Sequence, residues 1–504
     1  MRHFAVPLQR MSEVAPATPL KPGSVLRNTL ILVGAQFLGI PLSIFVNAVM
    51  GRELGPRDFG FLNLAMNLCG FAFMFVEWGH GGVVPREIAQ APARSGVLLG
   101  TSIAWRVGFS VIVSLGLALL SWLLYPVGFL PLLGLVALQA LFTSVSSAYQ
   151  DAARGFERTD VTAIGRIGGQ LLNAALVLPV LFLGGGLMPM AIAAMVASFL
   201  ILPLITTVTH RIGVGKPSFD RHELSYLTRN GWAFLASTAA MTSMGFVDAI
   251  SLSKLATPEV FGWYSAAQKL VGMLLVPSTA LIASLYPTLS RLIIEDREQY
   301  KVTLRRSING TGLLAIPFAL GCALYSDLGI ALYGKSGYAP AGQNLIVMSA
   351  MVLLVYFSMP LGCALLAAGR QVAWASAQFG CVALRIVLNP LLIPWFQNHY
   401  GNGGLGVCVS SVLCEVVLVG VSLYMIPHGV INRALVKVLG KGVLAGAAMA
   451  AAALGLRSIN PWLAAPIATV VYFGALYLLG GVDASQIERI TGGIKSKLAR
   501  ARAA

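Results

Sequence analysis

Charged residues are scarce in this sequence: 11% of 504, against about a quarter in an average soluble domain. That scarcity excludes an ordinary soluble globule. Acidic residues are the rarer sign, 19 Asp and Glu against 35 Lys and Arg, for a net charge of +16. Cysteine is sparse too. All six (Cys69, Cys322, Cys363, Cys381, Cys408 and Cys414) lie in apolar runs and none forms a CxxC pair. They read as small core hydrophobes rather than zinc or redox ligands. The six histidines fall in tails, loops or helix ends at no metal-ligand spacing. No P-loop and no nucleophile elbow occurs, which removes the common signatures of nucleotide and ester hydrolysis. No cofactor is expected.

What is abundant is apolar surface. Hydrophobic residues make up 57% of the chain and the mean hydropathy is +0.78. Apolar runs of about 20 residues recur along its length, each long enough to cross a hydrocarbon core of about 30 Å as a helix. Fourteen such runs can be marked, among them the first at 26–50, the fourth at 129–149, the eighth at 262–286, the ninth at 307–332 and the last at 463–480. The expected fold class is an all-α polytopic membrane protein with 14 transmembrane helices. Residues 1–24 hold no short apolar segment with a small-residue cleavage site, so no signal peptide is expected.

Placing the N-terminus inside assigns 26 of the 35 Lys and Arg to inner tails and loops and 5 to outer loops (Arg52, Arg57, Lys254, Lys335 and Arg457). This asymmetry predicts both termini in the cytoplasm. It also accounts for the +16 without a nucleic-acid partner. In the C-terminal tail, Ile487, Ile490, Ile494 and Leu498 recur at helical spacing among Lys495, Lys497, Arg500 and Arg502. Such a tail either lies on the membrane surface or stays solvated.

A weak internal repeat runs through the chain. A shift of 202 residues lays Pro56 on Pro258, Phe59 on Phe261, Gly60 on Gly262 and Pro85 on Pro287. A shift of 216 lays Arg154 on Arg370 and Asn173 on Asn389. Spans 1–6 and 7–12 therefore read as two pseudo-symmetric six-helix lobes, parallel repeats around a central cavity. The expected organisation is a cytoplasmic tail (1–24), an N-lobe (25–209), a cytoplasmic linker (210–230), a C-lobe (231–426), a connector (427–441), two appended spans (442–480) and a basic tail (481–504).

Four cations interrupt these spans: Arg106, Arg166, Lys269 and Arg385. Each costs roughly 3 kcal/mol to place at membrane depth. They must meet one another, water, an anion or a carboxylate. By depth, Arg385 matches Glu415 on the next span, Asp248 matches Lys269, and Glu77 lies within reach of Arg106. Arg166 has no acidic residue at its depth on a neighbouring span.

Four stretches carry a family resemblance: GRELGPRDFG at 51–60, PREIAQ at 85–90, ARGFERTD at 153–160 and FVDAISLSKLATPEVFGWYSAAQ at 246–268. Together they resemble the bacterial Wzx-type oligosaccharide flippases, the polysaccharide biosynthesis transporters. These are grouped with MATE drug exporters and MurJ lipid II flippases in the MOP superfamily. The resemblance implies a V-shaped, two-lobed transporter in the bacterial cytoplasmic (inner) membrane. Its cargo would be an undecaprenyl-pyrophosphate-linked oligosaccharide, moved from the inner to the outer leaflet for surface polysaccharide assembly. Membrane lipids are implied as surroundings, and a polysaccharide polymerase and chain-length machinery as partners. Spans 13 and 14 would flank a groove for the lipid. The family's Asp is Asp248; Ala249 follows it where a basic residue is common.

Under that resemblance the pyrophosphate-binding candidates are Arg106, Arg166, Lys269 and Arg385, with Arg52 at the end of the first span. Arg suits phosphate because its planar fork donates two parallel hydrogen bonds. Asp248, Glu415 and Glu77 are the candidates for H+ or Na+ coupling, or simply for charge compensation. The alternatives are a MATE-like cation-coupled drug exporter, which calls for a negative cavity, and a MurJ-like lipid II flippase. A membrane enzyme is not expected. The outer loops span about ten residues or fewer, and no acid/base constellation stands out.

Overall fold

The computed structural model describes residues 22–334, 337–427, 429–457 and 460–481. The two tails, including the periodic Ile487–Leu498 segment, lie outside the described residues. The first half holds α1 (Pro22–Glu77), α2 (His80–Gln90), α3 (Ser95–Leu124), α4 (Phe129–Gly155), α5 (Thr159–Phe182) and α6 (Leu187–Arg211). The second holds α7 (Arg221–Leu255), α8 (Pro258–Leu274), α9 (Val276–Glu295), α10 (Arg297–Leu324), α11 (Ser326–Ala331), α12 (Ala339–Ala367), α13 (Gln371–Tyr400) and α14 (Gly404–Met425). Helices α15 (Arg433–Arg457) and α16 (Pro461–Leu478) follow. No strand occurs among the described residues.

Among the described residues, ten helices are long and apolar enough to cross a membrane, or eleven when the bent α7 counts as one. The protein is thus an all-helical, multi-pass membrane protein. Several predicted spans are broken. Helix α1 is two helices joined at Gly55, which adopts φ +74°. Glycine takes that conformation without a Cβ penalty, and Pro56 then starts the second leg from its preset φ. The predicted eighth span, 262–286, divides at Leu275 between α8 and α9, where Pro277 lacks the N–H that would continue the ladder. The predicted ninth, 307–332, ends as α10 at Leu324, and α11 is a separate short helix.

Helix α1 packs on α4 and α5 on one side and on α7 and α8 on the other. One apolar core runs across both halves, from Leu62 and Leu68 through Phe261 to Val352 and Tyr356. The two loops aligned by the shift of 202 meet face to face. A Cβ on Gly60 would collide with the Pro258 carbonyl, and a Cβ on Gly262 with the Pro56 carbonyl. At the opposite end of the bundle, Gly79 abuts the Gly231 carbonyl, Gly231 abuts the Trp78 carbonyl, and Trp78 Nε1 donates to the Thr228 carbonyl at 2.9 Å. Small residues let the backbones approach closely at both ends.

The stretch 212–220, between α6 and α7, is pinned to the start of α3. Ser218 N donates to the Gly96 carbonyl at 3.1 Å, Gly215 N to Ser95 Oγ at 3.2 Å and Asp220 N to Thr101 Oγ1 at 3.1 Å. Arg94 then pairs with Glu223 on α7 at 2.6 Å. Helices α15 and α16 pack on α10, where Tyr472 donates to the Leu313 carbonyl at 2.7 Å.

Candidate substrate cavity

Two adjoining chambers of about 660 and 710 Å³ open inside the bundle, the smaller between the halves and the larger within the first half, where Lys269 reaches it from the second. They share Ser43, Asn63, Met66, Arg166, Gln170 and Lys269. The larger is walled by α1, α4, α5 and α6 with Lys269 of α8, the smaller by α1, α5, α7, α8 and the first residue of α9.

The sequence builds the larger chamber by helical periodicity. On α5, Thr162, Gly165, Arg166, Gly169, Gln170 and Asn173 recur three or four residues apart and so share one face. On α4, Gln139, Thr143, Ser146, Ser147 and Gln150 do the same. These polar stripes inside apolar spans are the signal that a reading focused on formal charge passes over. The smaller chamber adds glycine and apolar groups, including Gly39, Gly70, Gly272 and Val276, beside the polar Asn67, Thr242 and Gln268. Phe71 and Phe246 stack across it at 3.8 Å between ring centroids.

Among the described residues, neither chamber is lined by an Asp or Glu. Arg166 and Lys269 line both, and neither belongs to an ion pair among the described residues. Counted over the described residues, the formal charge of the cavity wall is therefore +2.

The other candidates sit elsewhere. Arg106 is 1% exposed, and its guanidinium pairs with Asp151 Oδ2 at 2.9 Å. It also donates to the Ser144 carbonyl and to Ser147 Oγ. Arg154 completes the cluster on the other oxygen of Asp151. The expected partner Glu77 does not supply this contact. The fourth span was expected to end near residue 149, but α4 continues to Gly155. Asp151 is thereby inside the helix and buried at 3% exposure, facing α3.

In the second half, Arg385 pairs with Asp248, and Asn389 Nδ2 donates to the second Asp248 oxygen at 2.9 Å. Ser410 Oγ in turn donates to Asn389 Oδ1 at 2.6 Å. The depth-matched pairs Arg385–Glu415 and Asp248–Lys269 are therefore replaced by a pair between α13 and α7, which pack directly on each other. Glu415 instead accepts a hydrogen bond from Ser358 Oγ at 2.8 Å. Lys269 is left to the cavity. Arg52 is exposed near the Gly55 break and lines neither chamber. Glu77 is exposed and lines neither.

The sequence profile of the family described as "Polysaccharide biosynthesis protein" matches residues 25–293, more than half of the chain. The chain belongs to that family. The matched region contains every residue that lines the two chambers. Arg385 and Glu415 lie beyond it. A candidate O-antigen transporter of Escherichia coli (strain K12) is 23% identical over 355 residues, covering 66% of this chain and 81% of that protein. Among solved structures, the lipid II flippase MurJ in an inward closed conformation aligns with a TM-score of 0.64 at 16% identity, over 92% of this chain and 99% of that one. A multidrug resistance MATE family transporter of the MOP superfamily, in an inward-facing conformation, aligns with a TM-score of 0.61 at 14% identity, over 79% and 97%. The fold is thus that of the MOP transporters. These relatives are transporters and flippases, not enzymes.

Proposed function

We propose that the chain is a flippase that moves undecaprenyl-pyrophosphate-linked oligosaccharide from the inner to the outer leaflet of the bacterial cytoplasmic membrane by alternating access. The observation that carries this reading is the cavity wall: among the described residues, two unpaired cations, no carboxylate, and facing stripes of carboxamides and hydroxyls. A pyrophosphate brings about two negative charges, which Arg166 and Lys269 offset. The glycan brings hydroxyls, which Asn, Gln, Ser and Thr side chains can both donate to and accept from. The wall runs against a carrier of cationic drugs, because a cation would meet like charge without compensation. The proposal narrows the anion site to Arg166 and Lys269, and gives Arg106 and Arg385 the task of holding the cavity walls. Asp248 then compensates Arg385, and Glu415 is the remaining candidate for H+ or Na+ coupling.

The topology in the proposal is fourteen crossings in two six-span lobes plus α15 and α16, with both termini cytoplasmic. The 26-to-5 distribution of Lys and Arg supports the orientation. The reciprocal contacts of Gly60 and Gly262 support a pseudo-twofold between lobes, since symmetric faces meet residue i on j and j on i. The Gly60–Gly262 end is then the outer one.

The test uses cells that lack this chain but keep its glycan-synthesis machinery. Lipid-linked oligosaccharide is expected to accumulate on the inner leaflet while surface polymer disappears. At equal protein level, Arg166→Ala and Lys269→Ala are each expected to lower restored transport about tenfold or more, the loss of one charge-assisted contact. Unchanged export together with new sensitivity to cationic drugs would replace this reading by the exporter.

A further inference from the structure

Resting on that reading, we infer that the cargo's glycan is uncharged, and that the larger chamber selects it by carboxamide hydrogen bonding while excluding acidic sugars. The placement of charge decides this. The two cavity cations are not spread through the larger chamber; both belong to the boundary it shares with the smaller one. One pyrophosphate at that boundary offsets both of them. Beyond it, among the described residues, the larger chamber holds no other charged side chain of either sign. Its polar wall consists of neutral groups, among them Gln139, Gln150 and Asn173.

A neutral sugar suits such a wall, because each carboxamide can donate to one hydroxyl and accept from its neighbour. A uronate or an ammonium sugar at the same depth would leave water without an opposite charge to replace its hydration. The nearest cations are already matched to the pyrophosphate. The smaller chamber adds glycine, phenylalanine and aliphatic groups, among them Gly70, Phe71, Phe246 and Val276, beside Asn67, Thr242 and Gln268, and its apolar side suits the start of the lipid chain. The Arg106–Asp151 pair supports this division. Arg106 donates to both the Ser144 carbonyl and Ser147 Oγ, so it fixes the face of α4 that presents Gln139 and Gln150.

The experiment measures binding to the full-length protein in nanodiscs at neutral pH. Four probes are compared: a short-chain prenyl pyrophosphate alone, the same lipid carrying a neutral dihexose, the same lipid with the second sugar oxidised to a hexuronate, and a quaternary ammonium compound. The neutral dihexose probe is expected to bind more tightly than bare prenyl pyrophosphate. The hexuronate probe is expected to bind about tenfold or more weakly than its neutral twin, the effect of an uncompensated charge. Gln139→Lys is expected to restore the hexuronate probe, and Asn173→Lys serves if the first variant does not fold. Equal binding of neutral and acidic probes, with bare prenyl pyrophosphate also binding, would overturn this inference and leave the flippase reading standing. Binding of the quaternary ammonium without the pyrophosphates would overturn the flippase reading itself.

Discussion

Asp248→Ala is expected to remove most of the folded protein, whereas Arg166→Ala leaves its amount and stability unchanged. Both positions carry charge within the spans, yet their surroundings differ. Asp248 and Arg385 are 2% and 6% exposed and pair with each other, with Asn389 on the second carboxylate oxygen. Removing the carboxylate leaves a buried guanidinium unpaired, which costs about 3–5 kcal/mol in comparable cases. Asp151→Ala strips Arg106 in the same way and is expected to act alike. Arg166 has no carboxylate to lose and faces the cavity, so its removal leaves no orphaned charge. The check is the level of protein in the membrane and its melting midpoint in detergent for each variant. The double change Asp248→Asn with Arg385→Gln is expected to recover much of the loss, because the two charges leave together and their effects couple. An Asp248→Ala protein that is as stable as the parent but inactive would move Asp248 from charge compensation to ion coupling.

Gly60→Val is expected to hold the bundle open at its Gly55 end, and Gly262→Val to do the same. At each position a Cβ would collide with a backbone carbonyl, Pro258 in one case and Pro56 in the other. A side chain could turn away; a carbonyl inside α8 or at the start of the second leg of α1 cannot. The halves must separate there or accept overpacking of about 1–3 kcal/mol. A bias of that size shifts a two-state equilibrium about 5- to 150-fold. It favours the conformation in which the cavity opens past Gly60 and Gly262. The measurement is the rate at which a membrane-impermeant maleimide labels a cysteine placed at Asn63, which lines both chambers just beyond the seam. The native cysteines that the structure describes are buried and give a low background. Faster labelling in both variants is expected. Labelling at the parent's rate in both would show that the seam does not close the cavity.

The two expectations draw on different kinds of information. The glycine seam was legible in part, because Pro56–Gly60 and Pro258–Gly262 repeat as a pattern along the chain. That the repeats touch each other reciprocally was not. The cavity was legible as four stray cations, but the stray cations divided two and two. Arg106 and Arg385 are sealed by carboxylates that depth matching assigned differently, and Arg166 and Lys269 remain open. Asp151 took no part in the depth matching, because the fourth span was ended at 149, two residues before it. The carboxamide stripes of α4 and α5 were present at helical spacing all along. They went unread because neutral polar residues carry no formal charge to count.

Local chemistry sufficed wherever the solvent alone decides. Twenty apolar residues must be helical in hydrocarbon, since no water is there to satisfy the backbone. The membrane class, the all-helical fold and the family resemblance therefore followed from the sequence by itself. What only the tertiary structure decided is the direction each side chain faces and the helix it meets. A helix can rotate about its axis without changing any side chain's depth, so Arg385 at the level of Glu415 could equally turn to Asp248 on α7. Packing of α13 against α7 settled that choice. The same packing left Lys269 and Arg166 as the cations that line the space between the two halves.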